Sequence, residues 1–326
     1  MKLSSSEFEL IEKYFKPLAP RGEPAYALSN DGAIFTPSMG KKTVYTVDTL
    51  VSGIHFFEND NPEIIAKKAL RVNLSDLAAM AAKPAGYLLS IALPKELNSL
   101  ETWIKNFARG LAEDQAKFNI QLWGGDTVST TGPITISITA IGEIDPDTII
   151  SRSGAKIGDH IYVSGTLGDA AAGLRLIREG NSNSESQFLI ERYNLPLPRL
   201  ELSEKIVSIA TSMMDISDGL MGDISHICRH SQVGAAIEQK KIPISIPFGN
   251  LLATKTDYSD LSWCGGDDHE LLFTTDKKND QLIRKISDEC CVKLTSIGKI
   301  TDGHIVKLLD DEGKEITTDQ KGFRHF

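Results

Sequence analysis

Apolar positions along the chain alternate between helical and strand spacing, and the alternation sets out most of the elements. Phe8, Ile11 and Phe15 recur at helical spacing, which predicts an opening amphipathic helix with Ser6 as its cap and Pro17 and Pro20 at its end. The short apolar segment Ala33-Ile34-Phe35 follows, then the strand-like run Thr43-Val44-Tyr45-Thr46-Val47. Pro62 sits where a helix begins, and 63–82 is rich in Ala and Leu. The pattern then predicts a strand at 87–93, a helix at 99–118 with Trp103, Phe107 and Leu111 on one face, and strands at 120–123 and 134–144. The turn Asp145-Pro146-Asp147 divides a domain at 1–145 from a second at 146–326. The second half restarts with a strand at 160–164, a glycine turn and a helix at 169–178. A polar loop at 181–186 and helices at 201–210 and 220–230 come next. The segment 294–307 alternates around Asp302-Gly303, a hairpin signal. The expected fold class is α+β: mixed α/β layers in two domains, each a sheet covered by helices.

Composition narrows the function classes. The chain has 326 residues, 41% hydrophobic and 24% charged, ordinary for a globular protein and long enough for two cores. No apolar run approaches a membrane span, and the first residues lack the apolar stretch of a signal peptide, so the expected location is the cytoplasm. A net charge of −9 argues against nucleic acid, whose phosphates need a basic face. It does not exclude nucleotides, because bound cations can bridge an acidic protein to polyphosphate. Cys228, Cys264, Cys290 and Cys291 show no C-x-x-C spacing and are expected as reduced thiols.

The chemistry lies in the aspartates. Asp48 follows Thr46-Val47, Asp76 lies in Asn73-Leu74-Ser75-Asp76-Leu77, and Asp126 closes Gly124-Gly125-Asp126-Thr127. Asp215 and Asp218 share Asp215-Ile216-Ser217-Asp218-Gly219, and Asp267, Asp268 and Glu270 follow Gly265-Gly266. Carboxylates gathered at sheet edges repel one another unless cations hold them, and hard oxygen ligands select Mg²⁺, which implies phosphates.

Each motif also has a plain structural reading. Gly124-Gly125 lets backbone amides approach phosphate oxygens, or it simply ends a strand. Asp48 is a metal ligand or a turn former. Asp76 faces the core or solvent, and flanking Leu74 and Leu77 leave its direction open. Ser217 or Asp218 caps the next helix, holds phosphate, or does both. His55, on Ser52-Gly53-Ile54-His55-Phe56, is structural or touches substrate. Arg152 is a surface charge or reaches a phosphate. Walker A, G-x-G-x-x-G and the protein-kinase motifs are absent.

Together these segments resemble the thiamine-monophosphate kinase family, within the superfamily of aminoimidazole ribonucleotide synthetase and selenophosphate synthetase. The resemblance runs from Glu7-Phe8-Glu9-Leu10-Ile11 to Lys321-Gly322-Phe323-Arg324-His325-Phe326 and is carried by 47–56, 69–80, Gly124-Gly125-Asp126-Thr127, Arg152-Ser153-Gly154-Ala155, Asp215-Ile216-Ser217-Asp218-Gly219 and 265–271. It implies an ATP-dependent kinase making thiamine diphosphate from thiamine monophosphate, and a homodimer joined through its N-terminal domains, with nucleotide near the shared interface. It implies several Mg²⁺ held by Asp31, Thr46, Val47 (through its carbonyl), Asp48, Asp76, Asp126, Asp215 and Asp218. Gly125, Asp126, Arg152 and Ser217 are implied as ATP contacts, and His55, Glu270 and Phe323 as substrate contacts, with no covalent catalytic nucleophile. One departure is Ser29-Asn30-Asp31 where the family carries Gly-Asp-Asp; Asp31, the expected ligand, is kept. Two readings compete with the kinase. One is another ATP-using member of the superfamily, although no Cys precedes Cys228 as a selenophosphate enzyme would want. The other is a non-catalytic Mg-nucleotide sensor, which Asn30 alone favours.

Overall fold

A computed structural model describes residues 7–181, 184 and 186–317. The chain divides into two compact units. One comprises residues up to Leu77 together with Ala82–Pro146; the other comprises Ala78–Ala81 and residues from Asp147 onward.

The first unit opens with the short helix α1 (Glu7–Leu10), continued by a wide turn at Ile11–Phe15 and a tight one at Lys16–Leu18 that accommodates Pro17. Its sheet contains β1 (Lys42–Val51), β2 (Lys83–Pro94), β3 (Gln121–Thr130) and β4 (Thr135–Ile144) in the order β1-β4-β2-β3. Only the β2–β3 pairing is parallel. Ala33-Ile34-Phe35 joins no strand; Phe35 instead lies against Trp123, with ring centroids 4.6 Å apart. Helices α2 (Pro62–Ala79) and α3 (Leu100–Phe118) bury an apolar set that includes Leu70, Leu74, Leu77, Ile104, Phe107 and Leu111. They meet at Gly110, where a Cβ would lie 2.3 Å from the Glu63 carbonyl oxygen. A buried two-pronged ion pair, Arg71 to Asp114 at 2.6 and 2.8 Å, fixes their register. Gly142 of β4 lies under Leu77, so α2 covers one face of the sheet. The other face is exposed at Tyr45, Val47, Leu88 and Val128.

The second unit is built on a six-stranded mixed sheet, order β10-β7-β9-β5-β8-β6. Its strands are β5 (His160–Ser164), β6 (Ala210–Asp215), β7 (Gly234–Glu238), β8 (Leu271–Thr275), β9 (Leu294–Thr301) and β10 (Val306–Leu309). Helices α4 (Asp169–Arg178), α5 (Gln187–Asn194), α6 (Leu200–Ile206), α7 (Leu220–Ser231), α8 (Ile246–Leu252), α9 (Leu261–Cys264) and α10 (Asp280–Cys290) complete it. Ile161, Val163, Ile216, Ile224, Ile227, Ile237, Leu272 and Ile297 belong to one continuous buried cluster. The expected hairpin at 294–307 does not form: β7 lies between β9 and β10, and β10 pairs parallel with β7. Asp302-Gly303 turns the chain, but the backbone edges that the two strands would pair through are taken by β7.

Candidate functional site

In the first unit, Asp48 and Asp126 lie within strands rather than at their ends. β-Branched residues at Thr46, Val47, Thr49 and Val51, paired in antiparallel register with β4, carry β1 past Asp48. β3 likewise runs through Gly124-Gly125, paired with β2 across a bulge at Tyr87/Leu88. Gly125 is required by close approach: a Cβ there would sit 1.8 Å from the Leu89 carbonyl oxygen. The pair of glycines is therefore neither a strand-ending turn nor a free loop.

Strand register decides which of these side chains share a face. Asp48 is in line with Ile138 and Leu89, both buried, so its half-buried side chain lies on the helix-covered face. There the Asp48 backbone N–H donates to Asn73 Oδ1 at 3.1 Å, and the Thr46 hydroxyl donates to Asp76 Oδ2 in a very short hydrogen bond. Asp76 is thus turned toward β1, which resolves the direction the sequence left open. Asn73 is wholly buried, and its Nδ2 donates to the Ala69 carbonyl at 2.9 Å. Asp126 is different. It shares a row with Thr49, Ser137 and Ser90 and is exposed on the opposite face. β1 and β3 are the two edges of the sheet, three strand spacings or roughly 14 Å apart. One copy of this sheet brings Thr46, Asp48 and Asp76 together and leaves Asp126 apart.

Asp31 is exposed in the segment before β1. His55 is partly buried; its Nδ1 accepts the Val51 N–H at 3.0 Å, which puts the ring proton of the neutral imidazole on Nε2. The His55 carbonyl accepts from Lys68 Nζ at 3.1 Å.

In the second unit, two loops run side by side beyond the ends of β6 and β8. Ile216 N–H donates to Glu270 O, His269 N–H to Ile216 O and Asp267 N–H to Ser217 O, each at 2.8 Å. Gly266 makes this possible, since a Cβ there would meet the Ser217 carbonyl at 2.5 Å. Asp215 is buried, with His269 Nδ1 at 3.3 Å from its Oδ2, while Asp218 is exposed and Ser217 half-buried. The expected cap of α7 by Ser217 or Asp218 is not made. Gly219 occupies the cap position, and the backbone N–H groups of Asp218 and Gly219 donate to Asp223 Oδ2 from within the helix, at 3.2 and 3.1 Å. Burial first, then Asp215 and Asp218, push the Asp223 carboxyl well above its ordinary range. Exposed Arg152 belongs to the same neighbourhood: burial, Arg152 and Arg229 hold the His226 ring below its usual range, and Asp218 opposes them.

The acidic run after Gly265-Gly266 is a structural hub. Asp268 accepts the Gly168 and Ala170 N–H groups at 2.6 and 3.1 Å, capping the start of α4. Burial pushes its carboxyl up to about 7. Glu270 is 1% exposed. Its oxygens accept from Arg199 at 2.7 and 2.5 Å, from Arg192 at 2.9 Å and from Ser164 Oγ at 2.5 Å. Burial alone would raise its carboxyl; Arg199 and Arg192 hold it below the usual carboxylate range. Gly165, in left-handed backbone at φ 59°, leaves room for it, since a Cβ would lie 2.2 Å from Oε1. Phe323 lies outside the described residues.

Sequence reasoning missed Asn73, Arg192, Arg199 and Asp223. The only signals were polar residues at helical offsets from singled-out positions: Asn73 three before Asp76, and Asp223 four after Gly219. The donors on these elements (carboxylates, the Thr46 hydroxyl, backbone carbonyls) are all oxygen, which fits a hard divalent cation. Among the described residues no three His, Cys, Asp or Glu side chains are grouped to hold a metal ion, so one copy presents donors and no finished cage.

Two family models match the chain: the AIR synthase related protein N-terminal domain over residues 29–144, and the C-terminal domain of the same group over 156–311. The thiamine-monophosphate kinase of Buchnera aphidicola subsp. Acyrthosiphon pisum is 38% identical over 98% of this chain and 99% of its own length. The crystal structure of the thiamine-monophosphate kinase from Stenotrophomonas maltophilia K279a is similar with a TM-score of 0.85 at 36% identity, covering 96% of this chain and 99% of that one. The AaThiL complex with AMPPCP and TMP is similar with a TM-score of 0.79 at 30% identity, covering 100% and 99%. Similarity over its full length shows that the chain belongs to the thiamine-monophosphate kinase family and is a kinase.

Proposed function

We propose that this chain transfers the γ-phosphoryl group of ATP to the phosphate of thiamine monophosphate, giving thiamine diphosphate and ADP. The observation that carries this reading is the similarity, over the whole chain, to a relative bound to an ATP analogue and TMP. In the first unit, Asp31, Thr46, the Val47 carbonyl, Asp48, Asp76 and Asp126 are the oxygen donors for cations, and the bare backbone of Gly125 is the approach for phosphate oxygens. In the second unit, Asp215 and Asp218 are cation donors, and Ser217 and Arg152 hold nucleotide phosphate. Mg²⁺ bound by these donors supplies charge neutralisation to the polyphosphate.

A phosphate monoester is largely doubly ionised at neutral pH, with a second pKa of about 6. Its oxygen therefore needs no general base, and the chain provides positioning and electrostatics. A substrate phosphate oxygen forms the new P–O bond in line as the bond from the γ-phosphorus to its bridging oxygen breaks. ADP leaves with the electron pair, and no phosphoenzyme forms. His55 contacts the substrate in this reading, as the resemblance implies. Phe323 stacks on the cationic thiazolium ring. Glu270 serves the substrate through the Arg192 and Arg199 guanidinium groups it fixes, since its own oxygens are engaged.

The assembly is a homodimer joined across the exposed face of the first sheet. Tyr45 and Val47, 67% and 61% exposed on one edge strand, form with Leu88 and Val128 the kind of apolar face that marks an interface. No helix among the described residues is long and apolar enough to cross a membrane, and the proposed location is the cytoplasm. Incubating the purified protein with ATP, Mg²⁺ and thiamine monophosphate and chromatographing the products tests the reading. Thiamine diphosphate and ADP in equal amounts are expected; ADP without thiamine diphosphate, or no turnover, would overturn it.

A further inference from the structure

We propose that Asp223 is a positioning residue that sets the backbone of the Asp215–Gly219 turn and so aims the Asp215 and Asp218 carboxylates; this rests on the reading of those two as cation donors. Asp223 belongs to α7, is 1% exposed, and points back out of the helix start. A single oxygen, Oδ2, accepts both the Asp218 N–H at 3.2 Å and the Gly219 N–H at 3.1 Å, while the Asp223 N–H returns to Gly219 O at 3.0 Å. The reciprocal bonds lock the turn to the first turn of the helix. Nothing at Gly219 itself can substitute. Its φ is 112° and a Cβ would lie 2.7 Å from the Cys264 carbonyl oxygen, so no capping side chain fits there. The constraint on a donor as exposed as Asp218 therefore comes from a buried oxygen five residues on.

The first unit holds its own donor strand in the same manner with a neutral group. Asn73, fully buried on α2, accepts the Asp48 N–H at 3.1 Å and is itself anchored on Ala69 O. A buried amide oxygen thus suffices to fix a donor's backbone, and the shared element is an acceptor at a set reach from a helix. Reach, and not charge, is what Asp223 contributes.

Two variants separate these. Asp223→Asn keeps an oxygen at the same reach and removes the charge; Asp223→Glu keeps the charge and displaces the oxygen by one methylene. Two readouts apply: the hydrogen exchange of the Asp218 and Gly219 amides in nucleotide-free protein, and the kcat and half-saturating Mg²⁺ concentration. We expect Asp223→Asn to retain slow exchange and a kcat within about 3-fold of wild type, and Asp223→Glu to lose protection at those two amides with kcat lower by about 10-fold or more, exchange elsewhere in the unit being unchanged. The proposal fails if Asp223→Glu matches or exceeds Asp223→Asn in activity, or if its two amides stay protected. The exchange readout needs no turnover, so it decides the proposal even if the functional reading fails.

Discussion

The two acid-bearing regions are built in opposite ways. In the first unit the proposed donors sit on regular elements, Thr46 and Asp48 within β1 and Asp76 on α2, and a few side-chain bonds between strand and helix place them. In the second unit Asp215 and Asp218 lie at and beyond the end of β6, on a loop held by backbone bonds to 267–270 and by the buried Asp223 carboxyl oxygen, while Asp268 and Glu270 brace the neighbouring segments. In the first unit the buried Arg71–Asp114 pair sets the register of the two helices, and no buried charge other than the motif residues themselves is bonded to the strand that carries Thr46 and Asp48 among the hydrogen bonds described. A loop needs a scaffold of carboxylates and guanidinium groups behind it, and that scaffold resembles a site while serving as structure.

The largest expected effect breaks the comparison into its two halves. Asp48→Ala should lower kcat by about 100-fold or more, the scale of losing a preorganised charge, with thermal unfolding close to wild type because Asp48 is only half-buried. In Glu270→Ala the larger effect should fall on stability. Leaving Arg192 and Arg199 without their shared carboxylate should cost about 3–5 kcal/mol of stability, read as a fall in the denaturation midpoint. An unchanged midpoint with a raised KM for thiamine monophosphate would return Glu270 to direct substrate contact.

A smaller effect sharpens the account of the hub. The Asp268 carboxyl is raised to about 7 in the folded protein, above its unfolded value, so the folded state holds a proton that the unfolded state has lost between those values. Its contribution to stability falls as pH rises through that window and is lowest above about 7. Relative to Asp268→Asn, wild type should weaken by about 1–3 kcal/mol between pH 5 and pH 8, measured by denaturant titration at each pH. A difference independent of pH would show that Asp268 is ionised throughout.

This contrast also explains what could be seen in the sequence. β-Branched alternation located β1 and β4, and the Ala/Leu-rich run located α2, because periodicity reports burial directly. The direction of Asp76 could not be read, since Leu74 and Leu77 flank it on both sides and only the position of β1 decides. α5 was missed: Leu189, Ile190 and Tyr193 are its buried apolar residues, but the buried Arg192 among them exists because of Glu270, seventy-eight residues away. The same distance hid the two guanidinium partners of Glu270, which the sequence presents only as part of an acidic cluster after Gly265-Gly266. The hairpin at 294–307 failed for the same kind of reason, a strand from elsewhere lying between its arms. The family motifs were legible because they are local in sequence; the residues that hold their backbone were not, because hydrogen bonds across the fold leave no spacing.

We propose that this chain, of net charge −9, grips a triphosphate through divalent cations. Titrating a non-hydrolysable ATP analogue into the purified protein, with Mg²⁺ and again with a chelator, measures this directly. The account predicts binding that weakens by about 100-fold or more when the cation is withdrawn; equal affinity in the chelator would contradict it.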